Sequence, residues 1–447
     1  MQTRKLLSLI TLLALGVGAP AWAEPDEPQA KQVIFFIGDG MGISQVTLGR
    51  LVAQRLGQPY SFDRVAATGL ASTRSYDTLV TDSAAAGTAL ATGVKTNNWT
   101  IGEDPSGQPL QTLIDVAHDA GWATGVLTNT RITHATPAAF TAHVWHRNEE
   151  AAIARQQAAS SYPDVLIGGG ARYFGEQERA QLAAHGYQVV TDAAGLAEAK
   201  GPKVAGLLAG SHLPYRIDAP ADQPTLAQLT ARAVELLEGQ GKSFFLMVEA
   251  GKIDHAGHDH DAAAMIHEQL DMAGALGWAL RYQQEHPETL VVVTSDHATG
   301  ALGITECSEL VRLTRARSSA AAIMKRVHAL DRDAWPEAIK REVLKAHAEV
   351  ELEDWEVEQI MAHDDEYWEV MALGHAISTR LGISFYDLDF QHERLKGTHG
   401  HNGAMVGVFA TGPQAERFVG IYENTEIPVR IAEIAGLPRP GKVLQQK

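Results

Sequence analysis

The chain has 447 residues, of which 45% are hydrophobic, and this length and composition can supply a sizeable buried core. Its formal net charge is −17, which argues against nucleic acid as a partner. Cys307 is the single cysteine, so an intramolecular disulfide is excluded.

The first 23 residues have the pattern of a secretory signal peptide. Arg4 and Lys5 precede an apolar run over 6–17, and the small residues Ala21 and Ala23 flank Trp22 as at a cleavage site. The run is too short for a transmembrane helix, and no later stretch is apolar enough to span a bilayer. We therefore expect an exported product, periplasmic or secreted, with no membrane span and a mature chain of residues 24–447.

Three apolar runs predict strands that are buried on both faces. They cover residues 33–37, 243–248 and 289–293. Acidic and histidine side chains follow each run, and these are Asp39, then Glu249, Asp254, His255 and His258, then Asp296 and His297. Any one of these residues alone is more often structural, because aspartate is common in surface turns.

Helical patterns separate the apolar runs. Ile266, Leu270, Ala273, Gly277 and Leu280, for example, share one helix face. Alternating strands and helices predict an α/β fold, a three-layer sandwich with a largely parallel central sheet and helices on both faces. The ends of the strands then converge on one edge, where carboxylates and imidazoles without thiolate suit Zn²⁺ with a harder ion such as Mg²⁺ nearby.

Residues 80–93 predict a helix of small side chains with a serine at its head. The N-terminus of such a helix attracts anions, so Ser83 is placed to hold or attack a phosphate. The alternative is that Asp82 and Ser83 only cap the helix. The metal-binding side chains elsewhere in the chain favour the first interpretation.

Residues 131–147 contain a short predicted helix, with Thr136 as its cap and Pro137 in its first position. Arg147 follows. It could stack on Trp145 or pair with a nearby glutamate, or it could grip phosphate oxygens with two N–H groups. Near the end of the chain, His399 and His401 lie in a glycine-rich loop before an apolar run, and on the residues alone they compete as metal ligands.

These motifs, in this order, resemble those of the alkaline phosphatase family of metal-dependent phosphomonoesterases. The resemblance implies that Ser83 is the nucleophile that becomes phosphoserine and that Arg147 binds the phosphoryl oxygens. It implies three metal sites, with Asp254, His258 and His399 for a first Zn²⁺, Asp39, Asp296 and His297 for a second Zn²⁺, and Asp39, Thr136 and Glu249 for one Mg²⁺. It thus favours His399 over His401, and it implies broad phosphomonoester specificity and a homodimer.

Two positions next to the metal ligands depart from the enterobacterial form of the family. His134 and His255 resemble the animal forms, whereas the enterobacterial form has aspartate and lysine there. The identity of the third metal is therefore left open by the sequence.

The segment at about 302–396 predicts a helical insertion, because His297 and His399 are farther apart than in the enterobacterial form. Pro336 marks a helix start, and Ile339, Val343 and His347 share a face. Residues 349–369 hold ten Asp or Glu residues and no Lys or Arg, a pattern most typical of a solvated helix face. The second hypothesis is a crown-like cap near the active site or the dimer interface that shapes access for the leaving group.

Other functions share parts of this pattern. A phosphodiesterase, a sulfatase or a phosphoglycerate mutase has related metal sites, but Ser83 lacks the sulfatase setting and the signal peptide opposes a cytosolic mutase. A non-catalytic phosphate- or metal-binding protein is the alternative from another class. The complete set of expected catalytic and metal-binding residues argues against it.

Overall fold

The structure is a computed structural model that describes residues 29–305, 310–386, 398 and 400–444. The predicted signal peptide (1–23) and His399 lie outside the described residues. In chain order, the strands are Gln32–Gly38 (β1), Ala67–Ser72 (β2), Ala123–Arg131 (β3), Val165–Gly169 (β4), Gln188–Val190 (β5), Val204–Leu207 (β6), Phe244–Ala250 (β7), Thr289–Thr294 (β8), Ala298–Thr299 (β9), Leu302–Ile304 (β10), Ile383–Phe385 (β11), His401–Asn402 (β12), Val406–Thr411 (β13) and Gly420–Glu423 (β14).

The α-helices surround these strands. In chain order, they are Ile43–Arg55 (α1), Ser83–Thr92 (α2), Leu113–Asp119 (α3), Ala135–Ala138 (α4), Glu150–Ala159 (α5), Glu176–Ala184 (α6), Ala193–Glu198 (α7), Leu226–Glu238 (α8), Lys252–His258 (α9), Ala262–Glu285 (α10), Val311–Arg315 (α11), Ala320–Val327 (α12), Trp335–Ala346 (α13), Asp354–Met361 (α14), Glu366–Arg380 (α15) and Glu426–Ile434 (α16).

One ten-stranded sheet forms the centre of the molecule, in the order β14-β2-β13-β8-β1-β7-β3-β4-β6-β5. β13 is antiparallel to its neighbours β2 and β8, and the other pairings in the sheet are parallel. Two short antiparallel pairs, β10-β11 and β9-β12, lie outside it. The expectation of a largely parallel α/β sheet is confirmed.

Side chains of β1 show why the sheet is covered on both faces. Ile34 and Phe36 belong to one apolar core, and Val33, Phe35 and Ile37 belong to the other. Successive side chains of a strand point to opposite faces of the sheet. A run of apolar side chains therefore needs packing partners on both faces. Helices α8 and α10 contribute to the first core and α3 and α16 to the second, which gives the predicted three layers.

The region predicted as a helical insertion contains α11 to α15. Ile323 and Met324 of α12 and Leu373 and Ile377 of α15 are buried in the same core as α10. Pro336 lies in the first turn of α13, as predicted. These helices therefore extend one of the two cores of the sheet.

The acidic run at 349–369 is only partly a solvated face. Glu356 is buried and forms two hydrogen bonds with Arg380 at 3.0 and 2.7 Å. Glu369 is also buried, and its Oε2 lies 2.7 Å from Nε2 of His328. Two of the carboxylates thus tie α15 to its neighbours, which charge spacing alone did not indicate. Over the described residues, the helices include none that is both long and apolar enough to cross a membrane.

Candidate metal centre and active site

The ends of the three central strands bring acidic side chains to one point, as the sequence predicts. In the sheet register, Ile37 pairs with Glu249 on one side and with Thr294 on the other. Asp39 and Asp296, which follow these strands, are therefore neighbours, and both are completely buried. Burying several carboxylates together is unfavourable unless positive charge compensates them.

Asp39, Asp296 and His297 form the first group of potential metal ligands, with one ligand atom of each within 4.8 Å of the others. Nε2 of His297 lies 3.6 Å from Oδ1 of Asp39 and 3.3 Å from Oδ2 of Asp296. Both of these oxygens are buried and accept no hydrogen bond from the residues that the structure describes. Two such oxygens converging on an imidazole fit a bound divalent cation.

Asp254, His297 and His401 form the second group of potential metal ligands, and His258 lies beside it. Nε2 of His258 lies 3.3 Å from Oδ2 of Asp254 and 3.2 Å from Nε2 of His401. Nδ1 of His401 lies 3.0 Å from the carbonyl oxygen of Thr81, to which it can donate. That contact directs Nε2 of His401 toward Asp254, an arrangement typical of imidazole ligands.

The structure places Nε2 of His401 3.6 Å from Oδ1 of Asp254. Residue His401 begins β12 and pairs with Thr299, which lies just after His297. Its ring stacks on that of His297 with 3.6 Å between the centroids. Of the two histidines that competed in the sequence, His401 therefore has the contacts of a ligand, and His399 lies outside the described residues.

Asp39, His134 and Glu249 form the third group. Oε2 of Glu249 accepts hydrogen bonds from the hydroxyls of Thr128 and Thr130, the second at 3.0 Å. These bonds orient the carboxylate, whose Oε1 is buried without a hydrogen-bond donor among the described side chains. An oriented carboxylate with one open oxygen again fits a cation.

Thr136 belongs to this third group by position. Its Oγ1 lies 3.4 Å from Oδ2 of Asp39. The short helix begins at Ala135, two residues before the predicted start at Pro137, and its N-cap is His134. The cap prediction for Thr136 was wrong because its hydroxyl faces Asp39 instead of the helix N–H groups.

The electrostatics of these groups favour bound cations. Burial, together with the neighbouring carboxylates Asp296, Asp254 and Glu249, raises the pKa of Asp39 well above its ordinary value. Burial also raises the pKa of Glu249 to about 7. Burial opposes ionisation of Asp254 as well, but His258 and His401 outweigh it and hold the pKa of Asp254 well below its usual range. Positive charge at this point therefore stabilises the ionised carboxylates.

Ser83 is the first residue of α2, and it is buried. Its Oγ lies 3.1 Å from Nε2 of His297, the imidazole of the first group. The small side chains of α2 allow close packing, because a Cβ on Gly87 would lie 3.2 Å from the Cβ of Ala139. Asp82 caps α2 by accepting a hydrogen bond from the N–H of Ala85 at 3.0 Å. The two interpretations of this segment are therefore compatible, since Asp82 caps and Ser83 faces the metal groups.

Arg147 contacts Asp82, the residue that precedes Ser83. Its Nη1 donates to Oδ2 of Asp82 at 3.1 Å, and its Nη2 lies 3.2 Å from Nε2 of His134. Glu150, one of the glutamates near Arg147 in the sequence, instead forms an ion pair with Arg131 at 2.7 Å. Asp82 thus holds the guanidinium next to the serine.

Three histidines border the third group. The ring of His134 lies 5.6 Å from that of His255, and His255 lies 4.4 Å from His212. Burial, with the positive charge of Arg147, lowers the pKa of His134 well below its ordinary value. Burial and Lys252 act in the same direction on the pKa of His255. Both imidazoles are therefore neutral at physiological pH.

Several residues of the site were not identified from the sequence. Thr128 and Thr130 orient Glu249, and Thr299 donates to Oδ1 of Asp254 at 2.6 Å. Asp82 was expected as a cap but not as the partner of Arg147. The sequence did contain an indication of the role of the first two threonines. Thr128 and Thr130 occupy alternate positions of a buried strand, and buried hydroxyls need hydrogen-bond partners.

Comparison with known proteins adds to this geometry. The model of the alkaline phosphatase family matches residues 30–437. Alkaline phosphatase 4 of Bacillus subtilis is 31% identical and aligns over 94% of this chain and 95% of its own length. The cold-active alkaline phosphatase of a psychrophilic Shewanella has 34% identity and a TM-score of 0.79, covering 90% of this chain and 99% of its own.

A third relative bears on the metals. The alkaline phosphatase of the Antarctic bacterium TAB5 has been solved as a mutant with one histidine replaced by glutamate and Mg bound in the M3 site. That structure is 26% identical, with a TM-score of 0.67, and covers 92% of this chain and 99% of its own.

Proposed function

The chain belongs to the alkaline phosphatase family and is a phosphomonoester hydrolase, and we propose that it acts through a phosphoserine on Ser83 with two Zn²⁺ and one Mg²⁺. One observation carries this proposal. Oγ of Ser83 lies 3.1 Å from Nε2 of His297, the imidazole shared by two of the potential metal groups. A serine is a weak nucleophile unless a base or a metal activates it, and this serine faces a metal-binding side chain.

The donor atoms fit the proposed metals. Carboxylates and imidazoles without thiolate are typical of catalytic Zn²⁺, and two nearby ions suit displacement at phosphorus. We assign Asp39, Asp296 and His297 to one zinc, and Asp254, His258 and His401 to the other. When bound, the ions would supply the positive charge that lowers the pKa of the Ser83 hydroxyl and stabilises the departing oxygen.

The side chains then perform the following reaction. Ser83 loses its hydroxyl proton to solvent and its Oγ attacks phosphorus, the ester P–O bond breaks, and the leaving alkoxide takes up a proton from solvent. Water then cleaves the phosphoserine, releasing inorganic phosphate and restoring the hydroxyl. Arg147, held by Asp82, donates to the phosphoryl oxygens in both steps, and the N–H groups at the start of α2 add partial positive charge.

His401 replaces His399 in this proposal. The support is the 3.2 Å contact of His401 with His258 and the orientation of its ring by Thr81. The resemblance to the family alone had favoured His399, two positions earlier in a loop with several glycines. The two histidines are distinguished by the metal content of single variants.

We assign Asp39, Thr136 and Glu249 to the third site, where Mg²⁺ is the proposed ion. His134 lies close enough to Asp39 and Glu249 to contribute a ligand, and its imidazole is neutral. Imidazole favours Zn²⁺ or Co²⁺ over Mg²⁺, so His134 weakens the preference of this site for magnesium. His255 packs against His134, with 5.6 Å between the ring centroids.

Export and dimerisation complete the proposal. The signal-peptide pattern of residues 1–23 supports export to the periplasm or the medium. Family resemblance supports a homodimer. N-terminal sequencing of the product outside the cytoplasm should begin at Glu24, and light scattering of that product should give twice the mass of the mature chain.

The decisive experiment is hydrolysis of a simple aryl phosphate by the mature protein. Turnover should disappear on chelation and return with Zn²⁺ and Mg²⁺. The same preparation is tested beside a phosphodiester and a sulfate ester of the same phenol. Absence of monoester turnover with metals bound would refute the proposal, and a preference for either of the other esters would assign the protein to a related activity.

A further inference from the structure

A cavity of about 750 Å³ opens next to the second metal group. Its inner wall is His255 and His258 of α9, and His258 contacts both Asp254 and His401. Its outer wall is Tyr367 and Trp368, from the first turn of α15 in the inserted helices. The cavity therefore extends from the metal-binding residues to the region that is longer than in the enterobacterial form.

The walls of this cavity are largely aromatic. The rings of Tyr367 and Trp368 lie 5.2 Å apart at 80° to each other. The ring of Tyr215 is buried, and Nζ of Lys252 lies over it at 3.9 Å from its centroid. Because Lys252 covers a face of Tyr215, the aromatic surface against which a planar ring can pack is that of Tyr367 and Trp368.

The charged side chains of the cavity do not select an anion or a cation. They are Lys252, Asp259 and Asp365. Asp259 is engaged, because its Oδ2 accepts a hydrogen bond from the hydroxyl of Tyr215 at 2.7 Å. Asp365 is also engaged, since it caps α15 by accepting from the N–H of Tyr367 at 2.9 Å. The cavity should therefore select a ligand by its shape and its aromatic surface and not by its charge.

The outer wall is fixed to the turn that follows His258. A Cβ on Gly374 of α15 would lie 2.0 Å from the carbonyl oxygen of Asp259, so the helix approaches the turn as closely as a glycine allows. Oγ of Ser378 donates to the carbonyl of His260 at 2.8 Å and accepts from the N–H of Ala262 at 3.0 Å. These contacts fix the position of α15, whose first turn carries Tyr367 and Trp368.

We propose that this cavity binds the leaving group of the substrate and favours phosphomonoesters whose leaving group carries an aromatic ring, with Trp368 as the main specificity-determining residue. The inference rests on the proposed function, because an in-line displacement places the leaving group on the side of phosphorus opposite Ser83. From Ser83, successive contacts lead through His297 and His401 to His258, which lines the cavity.

Two substrates with similar alkoxide leaving groups test this proposal, namely 2-phenylethyl phosphate and propyl phosphate. They differ in the ring and not in the kind of oxygen that departs. We expect a higher kcat/KM for the phenylethyl ester in the metal-loaded enzyme. Trp368→Ala should lower the ratio of the two kcat/KM values by about 2- to 12-fold, the range that one aromatic pair supplies.

Three further measurements make the result specific. Trp368→Phe keeps a ring and should retain most of the preference, whereas Trp368→Leu keeps bulk without the ring and should lose it. Trp355→Ala, at an exposed tryptophan of α14, is the matched control and should leave the ratio unchanged. Inhibition by inorganic phosphate, which has no leaving group, should be the same in all these variants.

The outcomes separate this inference from the proposed function. If the wild-type enzyme hydrolyses both esters and Trp368→Ala and Trp368→Leu leave the ratio unchanged, the leaving-group pocket is refuted and the phosphatase activity stands. An equal loss of activity toward both esters refutes it as well, because a ring-binding pocket must change the ratio. If the metal-loaded wild type hydrolyses neither ester, the proposed function itself fails.

Discussion

Oγ of Ser83 and Nε2 of His297 lie 3.1 Å apart, although 214 positions separate the two residues in the chain. Ser83 is fixed by the first turn of α2, and His297 by the end of β8 and the pair β9-β12. The contact joins the predicted phosphate-binding helix to the predicted metal ligands. Substitutions of Ser83 and of His297 therefore test the same proposed active site, the first as nucleophile and the second as metal ligand.

Ser83→Ala should reduce turnover of an aryl phosphate by on the order of 10³-fold or more, because the proposed nucleophile is lost. Metal content and inhibition by inorganic phosphate should be kept, since the alanine removes one hydroxyl and no ligand carboxylate or imidazole. The exposed Ser106, changed to alanine, is the control. Full turnover in Ser83→Ala would contradict the assignment.

Arg147→Ala should weaken inhibition by inorganic phosphate by about 10- to 100-fold. The guanidinium offers charge-assisted hydrogen bonds, each worth about 1.5–3 kcal/mol. Arg155→Ala, at an exposed position of α5, should have no effect on the inhibition constant. An unchanged constant in Arg147→Ala would mean that Asp82 holds the arginine for structure alone.

His401→Ala should lower the zinc content by one ion per chain, measured by elemental analysis after gel filtration. Activity should fall by at least about 100-fold, because removing a metal ligand disrupts the site. His399→Ala should retain both zinc ions and activity within about twofold. The reverse result for the two variants would restore the assignment that the family resemblance favoured.

His134→Asp should raise the affinity for Mg²⁺, measured as the Mg²⁺ concentration that gives half-maximal activation. Carboxylate is a harder ligand than imidazole, and it would join Asp39 and Glu249 at the third site. The exposed His185, changed to aspartate, adds the same charge elsewhere and is the control. Equal activation curves for His134→Asp and the wild type would exclude His134 from the third site.

His267 on α10 should make the fold less stable in mild acid. Burial lowers the pKa of His267 to about 4 from an ordinary 6.5. The neutral form therefore favours the folded state, and this contribution is complete above pH 6.5 and is lost as the pH falls toward 4. Between pH 7 and 5.5, the wild type should lose about 1 kcal/mol more unfolding free energy than His267→Gln.

Urea unfolding at the two pH values measures this difference. Glutamine can still donate to the carbonyl of Ala263, the present partner of His267 at 3.1 Å. The exposed His185, changed to glutamine, should show the same pH dependence as the wild type. If His267→Gln also follows the wild type, protonation of this imidazole does not contribute to acid unfolding.

The local parts of the architecture could be predicted from the sequence. Continuous apolar runs identify β1, β7 and β8, because a strand without polar residues must be buried on both faces. The position of Asp39 and Asp296 at one edge then follows from the parallel arrangement. Small residues after Asp82 identify α2 as a closely packed helix.

Other parts depend on contacts between distant segments. Asp82 holds Arg147 across 65 positions, and no local pattern pairs them. His401 reaches Asp254 because β12 pairs with β9, two strands of two residues each that have no sequence signal of their own. The contacts of the buried carboxylates Glu356 and Glu369 likewise depend on how α15 packs. Local sequence patterns therefore predict the strands and helices, but they do not predict these contacts between distant segments.

The antiparallel strand β13 has a consequence for biosynthesis. It enters the sheet between β8 and β2, so β2 and β14 join the rest of the sheet only through a segment near the end of the chain. A ribosome-bound chain that ends before residue 401 lacks β13, β14 and His401, so the second group of potential metal ligands is incomplete. Under the proposed assignment of His401 to a zinc ion, that site is completed only after synthesis has passed residue 401.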